Sequence, residues 1–226
     1  MTSPQPNWKP GTKITPPFSS LTEVDIRELP QKERYKFLIG AIVPRPIAFV
    51  STVSASGVVN VAPFSFFSGV SSNPPSVVFS VGTPPDGREK DTLQNIKETK
   101  EFVINSANEW MIEAVVHCAG DFAEDIDEMK EAGLTPLPSQ KISPPRVAES
   151  AMQMECVLSQ TVPIGNGGPG SSTLVIGEIV YAHIATECFQ KGRIDFSKYR
   201  TVGRLGGLSY GLIGETFTLA VPKVGE

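Results

Sequence analysis

The 226-residue sequence predicts a mainly β fold, a β-barrel with a few added helices. Gly and Pro number 20 each, well above their usual combined share of about 12%, which indicates many short elements. Apolar, β-branched segments follow one another across short turns, a pattern typical of hairpins. Strands do not alternate strictly with helices, so an antiparallel barrel is favoured over a doubly wound sheet. The length favours one large domain.

The chain opens with a segment that differs from the rest in composition. Residues 1–20 hold five prolines and few core-forming residues, so we expect an extended or disordered arm there and the domain over residues 21–226. Beyond the arm, apolar residues at helical spacing with capping residues nearby predict helices. These helices cover residues 29–38, 91–100, 108–118 and 123–132, the last closed by Gly133.

Apolar runs rich in β-branched residues predict the strands. Segments 47–53 and 58–62 form a hairpin around a turn at residues 54–57. Further strands are expected at residues 76–81, 102–105, 152–163, 172–185 and 216–221. Glycine-rich connections join the later strands.

Charge and cysteine usage exclude several classes of protein. Lys plus Arg is 20 and Asp plus Glu is 24, a net charge of -4, so there is no basic face for binding nucleic acid. Three cysteines without a CxxC pair form no disulfide framework, which predicts a reducing, cytoplasmic location. The longest mainly apolar stretch, residues 174–185, is too short to span a membrane.

Three features resemble functional motifs but do not indicate a catalytic, nucleotide-binding or metal site. Residues 165–170 match GxGxxG, but the segment leads into a β-like run rather than a helix, so we interpret it as a hairpin loop. Residues 207–211 match GxSxG, but no Asp or His follows Ser209 to complete a hydrolase triad. His117 and His183 are the only histidines, which excludes a three-histidine zinc site, and we predict no metal.

Three segments in this order and spacing are more specific: residues 44–52, 57–67 and 90–95. Together they resemble the flavin reductase-like family of FMN-binding split-barrel proteins, in the branch that contains flavoredoxin. Residues 73–75 and 204–207, with Tyr210, agree with the same pattern. The resemblance extends from about residue 30 to residue 220.

The resemblance implies a Greek-key split barrel, a homodimer, and FMN (alternatively FAD) held at or near the dimer interface. It also implies either flavin reduction by NADH or NADPH or transfer of electrons to an unknown acceptor. By position, the resemblance assigns the cofactor contacts to Arg45, Pro46, Ser51, Thr52, Asn60, Val61, Ala62, Pro63, Phe64, Ser65, Lys90, Asp91, Thr92, Arg204 and Tyr210. Residues 60–65 would line the isoalloxazine ring, and residues 90–92 would meet the phosphate.

Physical chemistry supports this assignment but leaves structural alternatives open. A helix N-terminus attracts a phosphate, Thr92 adds a hydroxyl donor and Lys90 adds a charge. Alternatively, Asp91 and Thr92 only cap the helix, Asn60 ends a hairpin and Arg45 pins a turn between two prolines. Hydride passes directly from the nicotinamide to flavin N5, so no catalytic acid or base is predicted.

Three functions therefore remain as hypotheses. The first is an FMN-dependent oxidoreductase that uses NADH or NADPH. The second is a flavin-binding electron carrier with little nicotinamide activity. The third is a dimeric scaffold without flavin.

Overall fold

A computed structural model describes residues 3–221 of the chain. Its strands are β1 (Ala48–Val53), β2 (Val59–Phe64), β3 (Phe67–Ser72), β4 (Pro75–Gly82), β5 (Glu101–Ser106), β6 (Pro136–Leu137), β7 (Arg146–Val147), β8 (Met152–Ile164), β9 (Ser172–Ile184), β10 (Phe189–Gln190), β11 (Arg193–Ile194), β12 (Val202–Arg204) and β13 (Tyr210–Leu212). Its α-helices are α1 (Gln31–Ala41), α2 (Asp91–Thr99), α3 (Ile112–His117), α4 (Glu128–Glu131) and α5 (Phe196–Tyr199). Short 3-10 helices lie at Glu109–Met111 and Thr186–Cys188.

Seven strands form one antiparallel sheet in the order β2-β1-β5-β8-β9-β4-β3. The edge strands β2 and β3 follow one another in the chain, joined only by Ser65 and Phe66. The sheet must therefore curl until its two edges meet, which makes an open barrel. The rings of Phe64 and Phe79, on β2 and β4, are 5.1 Å apart across this opening. The predicted mainly β barrel with a few helices is confirmed.

The inside of the barrel is an apolar core to which six strands contribute. Val50, Phe79 and Phe102 are completely buried there. Helix α2 adds Leu93 and Ile96 to the same core, so it lies against the barrel with its N-terminus near β2. The alternation of side chains along β1 and β2 then dictates what faces outward.

A second apolar cluster covers the outer face of β1 and β2. Phe49 and Val61 point away from the barrel interior and pack with Val115 of α3 and Met129 of α4. Because α3 and α4 both pack on this cluster, the connection between them passes over β2. The N-terminal end of α2, the exposed edge of β2 and the α3–α4 connection thus meet at one place.

Several elements differ from the sequence predictions. Strand β3 was not predicted. The helix expected over residues 108–118 is a 3-10 turn followed by the shorter α3, and the helix expected over 123–132 is reduced to α4, although Gly133 does adopt the left-handed conformation, with φ 68°. The strand predicted at residues 216–221 is wrong, because those residues form no strand.

One interpretation of a motif-like segment agrees with the structure. The glycine-rich segment at 165–171 connects β8 to β9 as a hairpin loop, which confirms its interpretation. Residues 3–30 are mostly exposed and contain no helix or strand. Met1, Thr2 and residues 222–226 lie outside the described part of the chain. Within residues 3–221 no helix is long and apolar enough to cross a bilayer.

Candidate functional site

A polar groove lies where α2, the β2 edge and the α3–α4 connection meet. Its cavity is about 170 Å³, and we call it the α2 groove. It continues into a cavity of about 270 Å³ that shares Asn60, Asp91 and Glu128 with it. Seven of the fifteen predicted cofactor residues line the α2 groove: Asn60, Ala62, Pro63, Phe64, Lys90, Asp91 and Thr92.

The unpaired edge of β2 forms one wall of the groove. β2 pairs only with β1 in the described sheet, so its other side can face a ligand. Pro63 fits this position because an edge strand tolerates a residue without an N–H group. The interleaved small and aromatic residues Ala62, Pro63 and Phe64 are thus placed beside the groove, as the sequence predicts.

The N-terminus of α2 forms the opposite wall. Lys90 is its N-cap, and no side chain in the described chain caps the helix at this end. The carbonyl of Lys90 accepts from Leu93 N at 2.8 Å. The N–H groups of Asp91 and Thr92 precede Leu93 and have no acceptor within the helix. These donors and the positive end of the helix dipole suit an anion.

Charges of both signs surround the helix end. Arg88 pairs with Asp86 at 3.1 Å and also contacts Asp121. Lys90 has no ion pair within residues 3–221 and is the cation left available to a ligand. Asp91, Asp121 and Glu128 place three acidic side chains around the same cavity.

Asn60 connects the two walls of the groove. The Asn60 amide is oriented so that its nitrogen faces an acceptor and its oxygen faces donors. In this orientation Nδ2 donates to Glu128 Oε2 at 3.2 Å and Oδ1 accepts from Thr92 Oγ1 at 3.0 Å. Thr92 is only 2% exposed, and its one hydroxyl proton is used in this bond. A ligand would therefore meet the backbone N–H of Thr92 rather than the hydroxyl that the sequence analysis favoured.

Glu128 is the groove residue that sequence reasoning missed. Its Oε2 accepts from Val61 N at 2.6 Å, and burial raises the pKa of its carboxyl to about 7, against the opposing effect of that N–H bond. Its charge also contributes, after burial, to raising the pKa of the Cys118 thiol to about 12. Glu128 stands in a sequence with four other acidic residues within four positions, and no pattern distinguishes it from them.

Three of the predicted residues are buried away from the groove. Ser51 and Thr52 are fully buried, with Ser51 Oγ donating to Pro145 O at 2.6 Å and Thr52 Oγ1 accepting from Asn95 Nδ2 at 3.1 Å. The side chain of Val61 lies in the outer apolar cluster. In this structure their side chains support the fold behind the groove rather than line it.

The remaining predicted residues form a separate group, which we call the Arg45 cluster: Arg45, Pro46, Ser65, Arg204 and Tyr210. The buried Arg45 guanidinium donates from Nη1 to Ile39 O and Ile42 O at 2.6 and 2.7 Å, and from Nη2 to Leu205 O at 3.0 Å. Burial lowers the pKa of this guanidinium below its usual value. Arg45 thus ties the end of α1 to the C-terminal segment.

The other members of the Arg45 cluster lie around the Arg45 side chain or contact one another. Arg45 and Arg204 exchange backbone hydrogen bonds at 2.9 and 2.8 Å, and Arg204 stacks over Tyr210 at 4.3 Å from the ring centre. Arg45 Nε is 3.4 Å from Ser65 Oγ. Arg45 and Pro46 line a mainly apolar cavity of about 680 Å³, which shares no lining residue with the α2 groove.

Similar proteins were found by sequence and by structure. The sequence profile described as "Flavin reductase like domain" matches residues 40–203. An uncharacterized protein of Halalkalibacterium halodurans, BH2278, is 44% identical over 199 residues, which is 88% of this chain and 95% of the relative.

Solved structures give the same grouping. Nitrilotriacetate monooxygenase component B from Bacillus cereus has a TM-score of 0.86 and 37% identity, covering 89% of this chain and all of the other. The 2-nitrobenzoate 2-nitroreductase NbaA of Pseudomonas fluorescens has a TM-score of 0.81 and 31% identity, covering 90% and 98%. A flavoredoxin of Desulfovibrio vulgaris, with a TM-score of 0.68 and 23% identity over 79% of this chain and 92% of its own, is similar in fold.

Proposed function

Because this chain belongs to the flavin reductase-like family, whose members bind FMN and act as oxidoreductases, we propose that it reduces flavin with electrons from NADH or NADPH. The observation that carries the proposal is the α2 groove. It combines an uncapped helix N-terminus, the available cation Lys90 and the exposed edge of β2. This donor set fits a phosphate on one side and a planar ring on the other.

The path of β2 supports placing the ring away from the phosphate. The segment from Asn60 to Ser65 begins in the α2 groove and ends at the Arg45 cluster. Six extended residues cover about 17 to 20 Å, enough for an elongated ligand such as FMN. We infer that the phosphate lies at the α2 N-terminus and that the ring lies along β2 toward Ser65 and Phe66.

The side chains near the groove suit chemistry that the cofactor performs. When bound, FMN accepts a hydride at N5 and needs no protein nucleophile. The protein's part is to bind the phosphate, to place the ring along the unpaired edge of β2 and to exclude water. FAD is the alternative ligand, and it would need room beyond the phosphate for its adenylate.

The direct test is spectroscopic. Purified protein incubated with FMN and freed of excess ligand is expected to absorb near about 450 nm. Anaerobic NADH or NADPH is then expected to bleach this band. Bound flavin that neither nicotinamide reduces would identify an electron carrier instead, and absence of bound flavin would contradict the proposal.

We also propose that the chain acts as a homodimer. Helix α1 buries only Ile39 and leaves Tyr35, Phe37 and Leu38 between 42% and 57% exposed. A helix with this much exposed apolar surface is typical of an interface. A second copy is the simplest partner, because isologous dimers are the commonest closed assemblies.

The compartment is inferred from the cysteines. Cys118, Cys156 and Cys188 are all free and buried. This supports the proposal that the protein works in a reducing compartment such as the cytoplasm.

A further inference from the structure

Glu128 presents a charge problem for a phosphate in the α2 groove. Its carboxyl lines the same cavity as Lys90 and the first turn of α2. Asn60 touches both Glu128 and Thr92, at 3.2 and 3.0 Å, so the carboxyl and the helix end are separated by one side chain. An ionised carboxylate at this distance repels a phosphate dianion, and because Glu128 and Thr92 are both buried, water screens the repulsion only in part.

The other charges around Glu128 do not remove the problem. The titratable and charged groups that face Glu128 come from three elements. They are Arg88, Lys90 and Asp91 before and at the start of α2, Glu98 at the end of α2, Cys118, Asp121 and Glu124 on the α3–α4 connection, and Asp127, the N-cap of α4. Arg88 is already paired with Asp86, Asp91 and Asp121. A phosphate would therefore meet Lys90 as the one available cation, and Glu128, which has no cation partner within residues 3–221, stays charged unless it gains a proton.

Glu128 is the acid best placed to gain it. The side chain is 7% exposed, and burial raises the pKa of its carboxyl to about 7. The Val61 N–H and the Asn60 amide, which both donate to Glu128 Oε2, act against this shift. A bound phosphate raises this pKa further, because the protonated form can donate a hydrogen bond to a phosphate oxygen. The oxygen that accepts from Val61 N can keep that bond in either protonation state.

Resting on the proposed function, we propose that Glu128 binds the FMN phosphate only as the protonated acid, so that FMN binding above neutral pH takes up one proton from solvent. No covalent bond forms or breaks. The proton moves from water to the Glu128 carboxylate, and it is released again when FMN leaves. FMN affinity then changes little from pH 6.5 to about pH 7 and falls by up to about tenfold per pH unit above pH 7.

The test compares FMN and riboflavin from pH 6.5 to pH 9 by fluorescence titration. Riboflavin has the same ring without the phosphate, so its affinity should not follow Glu128. Glu128→Gln keeps the acceptor for Val61 and a donor for the phosphate but cannot ionise. We expect its FMN affinity to be nearly independent of pH and about tenfold tighter than that of the unaltered protein at pH 8.

Glu131→Gln is the matched control, since Glu131 lies on the same helix α4, is exposed and does not line the groove. It should keep the pH dependence of the unaltered protein. Circular dichroism at each pH checks that both variants are folded.

A second measurement needs no variant. Isothermal titration calorimetry of FMN binding in two buffers with different ionisation enthalpies counts the protons taken up. We expect uptake of close to one proton at pH 8 with FMN and of close to none at the same pH with riboflavin, which has no phosphate.

The outcomes separate the two proposals. FMN binding with constant affinity from pH 7 to pH 9, or without proton uptake at pH 8, would overturn the role of Glu128 and leave the proposed function standing. An equal pH dependence for riboflavin would overturn it too, because the proton would then not be linked to the phosphate. If FMN does not bind at any pH, the proposed function fails and this inference fails with it.

Discussion

Glu155 and His183, on the neighbouring strands β8 and β9, form a close pair with Glu155 Oε1 2.7 Å from His183 Nε2. The Glu155 carboxylate is fully buried and also accepts from the backbone N–H groups of Gln140 and Lys141 at 2.8 and 2.7 Å. The pair ties the loop before β7 to the barrel. Neither Glu155 nor His183 lines the α2 groove.

We expect His183→Ala to retain flavin reduction within about tenfold of the unaltered protein, because hydride transfer to the flavin needs no side-chain proton relay. Its free energy of unfolding should fall by about 1 to 3 kcal/mol, because Glu155 loses a hydrogen-bond donor. Steady-state turnover with saturating FMN and a denaturant titration measure the two effects. A thousandfold loss of turnover with flavin still bound would reveal an acid–base role for His183.

Glu155 should make stability depend on pH in the acid range. Burial alone would raise the pKa of its carboxyl, but the N–H donors and His183 outweigh burial and hold that pKa below its ordinary value. The carboxylate therefore stabilises the fold above the unfolded pKa of about 4.3, and this stabilisation is lost as the pH falls through the folded pKa.

The matching experiment is Glu155→Gln. At neutral pH the variant should unfold more easily by about 2 kcal/mol, and the difference from the unaltered protein should shrink as the pH falls below about 4. Denaturant titrations between pH 3 and pH 7 check this. The exposed Glu187→Gln should show no such change, and a difference for Glu155→Gln that stays constant down to pH 3 would contradict the explanation.

Elements with a strong local signal were predictable from the sequence. These elements are the hairpin of β1 and β2, strand β4, helix α2 and the long pair β8–β9. The strands show apolar, β-branched runs and the helix shows apolar residues at helical spacing, and residues that favour turns or caps mark their ends. Strand β3 lacks such a signal. Five of its six residues are exposed, and it exists because it pairs with β4 at the barrel edge.

The wrong strand at residues 216–221 shows the opposite error. Phe217, Leu219 and Val221 alternate as a strand would, but they are 51%, 64% and 89% exposed. A period of two therefore predicts a strand only when another strand is available to pair with it. The sequence does not reveal where that partner lies.

The candidate site was predictable where it follows the chain and not where it depends on packing. Asn60 and residues 62–64 of β2 do meet residues 90–92 in the α2 groove. Glu128 lies 36 residues beyond Thr92 in the sequence. It reaches the groove because its neighbour Met129 packs in the outer apolar cluster. Arg45 was expected beside the flavin, and the structure gives its guanidinium three backbone carbonyl partners.

Arg45→Met should lower stability strongly. It leaves the carbonyls of Ile39, Ile42 and Leu205 without the donor they have now, and we expect a loss of about 3 kcal/mol or more in the free energy of unfolding. The exposed Arg193→Met should change it by less than about 0.5 kcal/mol. A variant at position 45 that keeps full stability but loses FMN would show that Arg45 serves the cofactor directly.

Lys90→Ala tests the phosphate assignment. A charged hydrogen bond contributes roughly 1.5 to 3 kcal/mol, so losing Lys90 should weaken FMN by about tenfold or more and leave riboflavin affinity unchanged. Lys97→Ala is the control, since Lys97 lies in the last turn of α2 and pairs with Glu89. If FMN affinity stays within about twofold in Lys90→Ala, the phosphate does not bind at this helix end.

Thr92→Val tests whether the Thr92 hydroxyl itself, and not only the N-terminus of α2, binds the phosphate. Because the Thr92 hydroxyl is bonded to Asn60, its loss should lower thermal stability by the equivalent of about 1 kcal/mol. Any change in affinity should be similar for FMN and riboflavin. A selective loss of FMN affinity of ten- to a hundredfold would instead restore the direct hydroxyl contact with the phosphate.

The exposed face of α1 leads to a prediction about assembly. Light scattering of the unaltered protein should give twice the 24.3 kDa mass of one chain. Replacing Tyr35 and Leu38 together with Ser should shift the equilibrium toward one chain, because both side chains are largely exposed in the single chain and would be buried in the dimer. Phe196→Ser, on the exposed side of α5, is a control that should leave the mass at two chains. A single-chain mass for the unaltered protein with FMN fully bound would show that the site is complete without a second copy and that α1 has another partner.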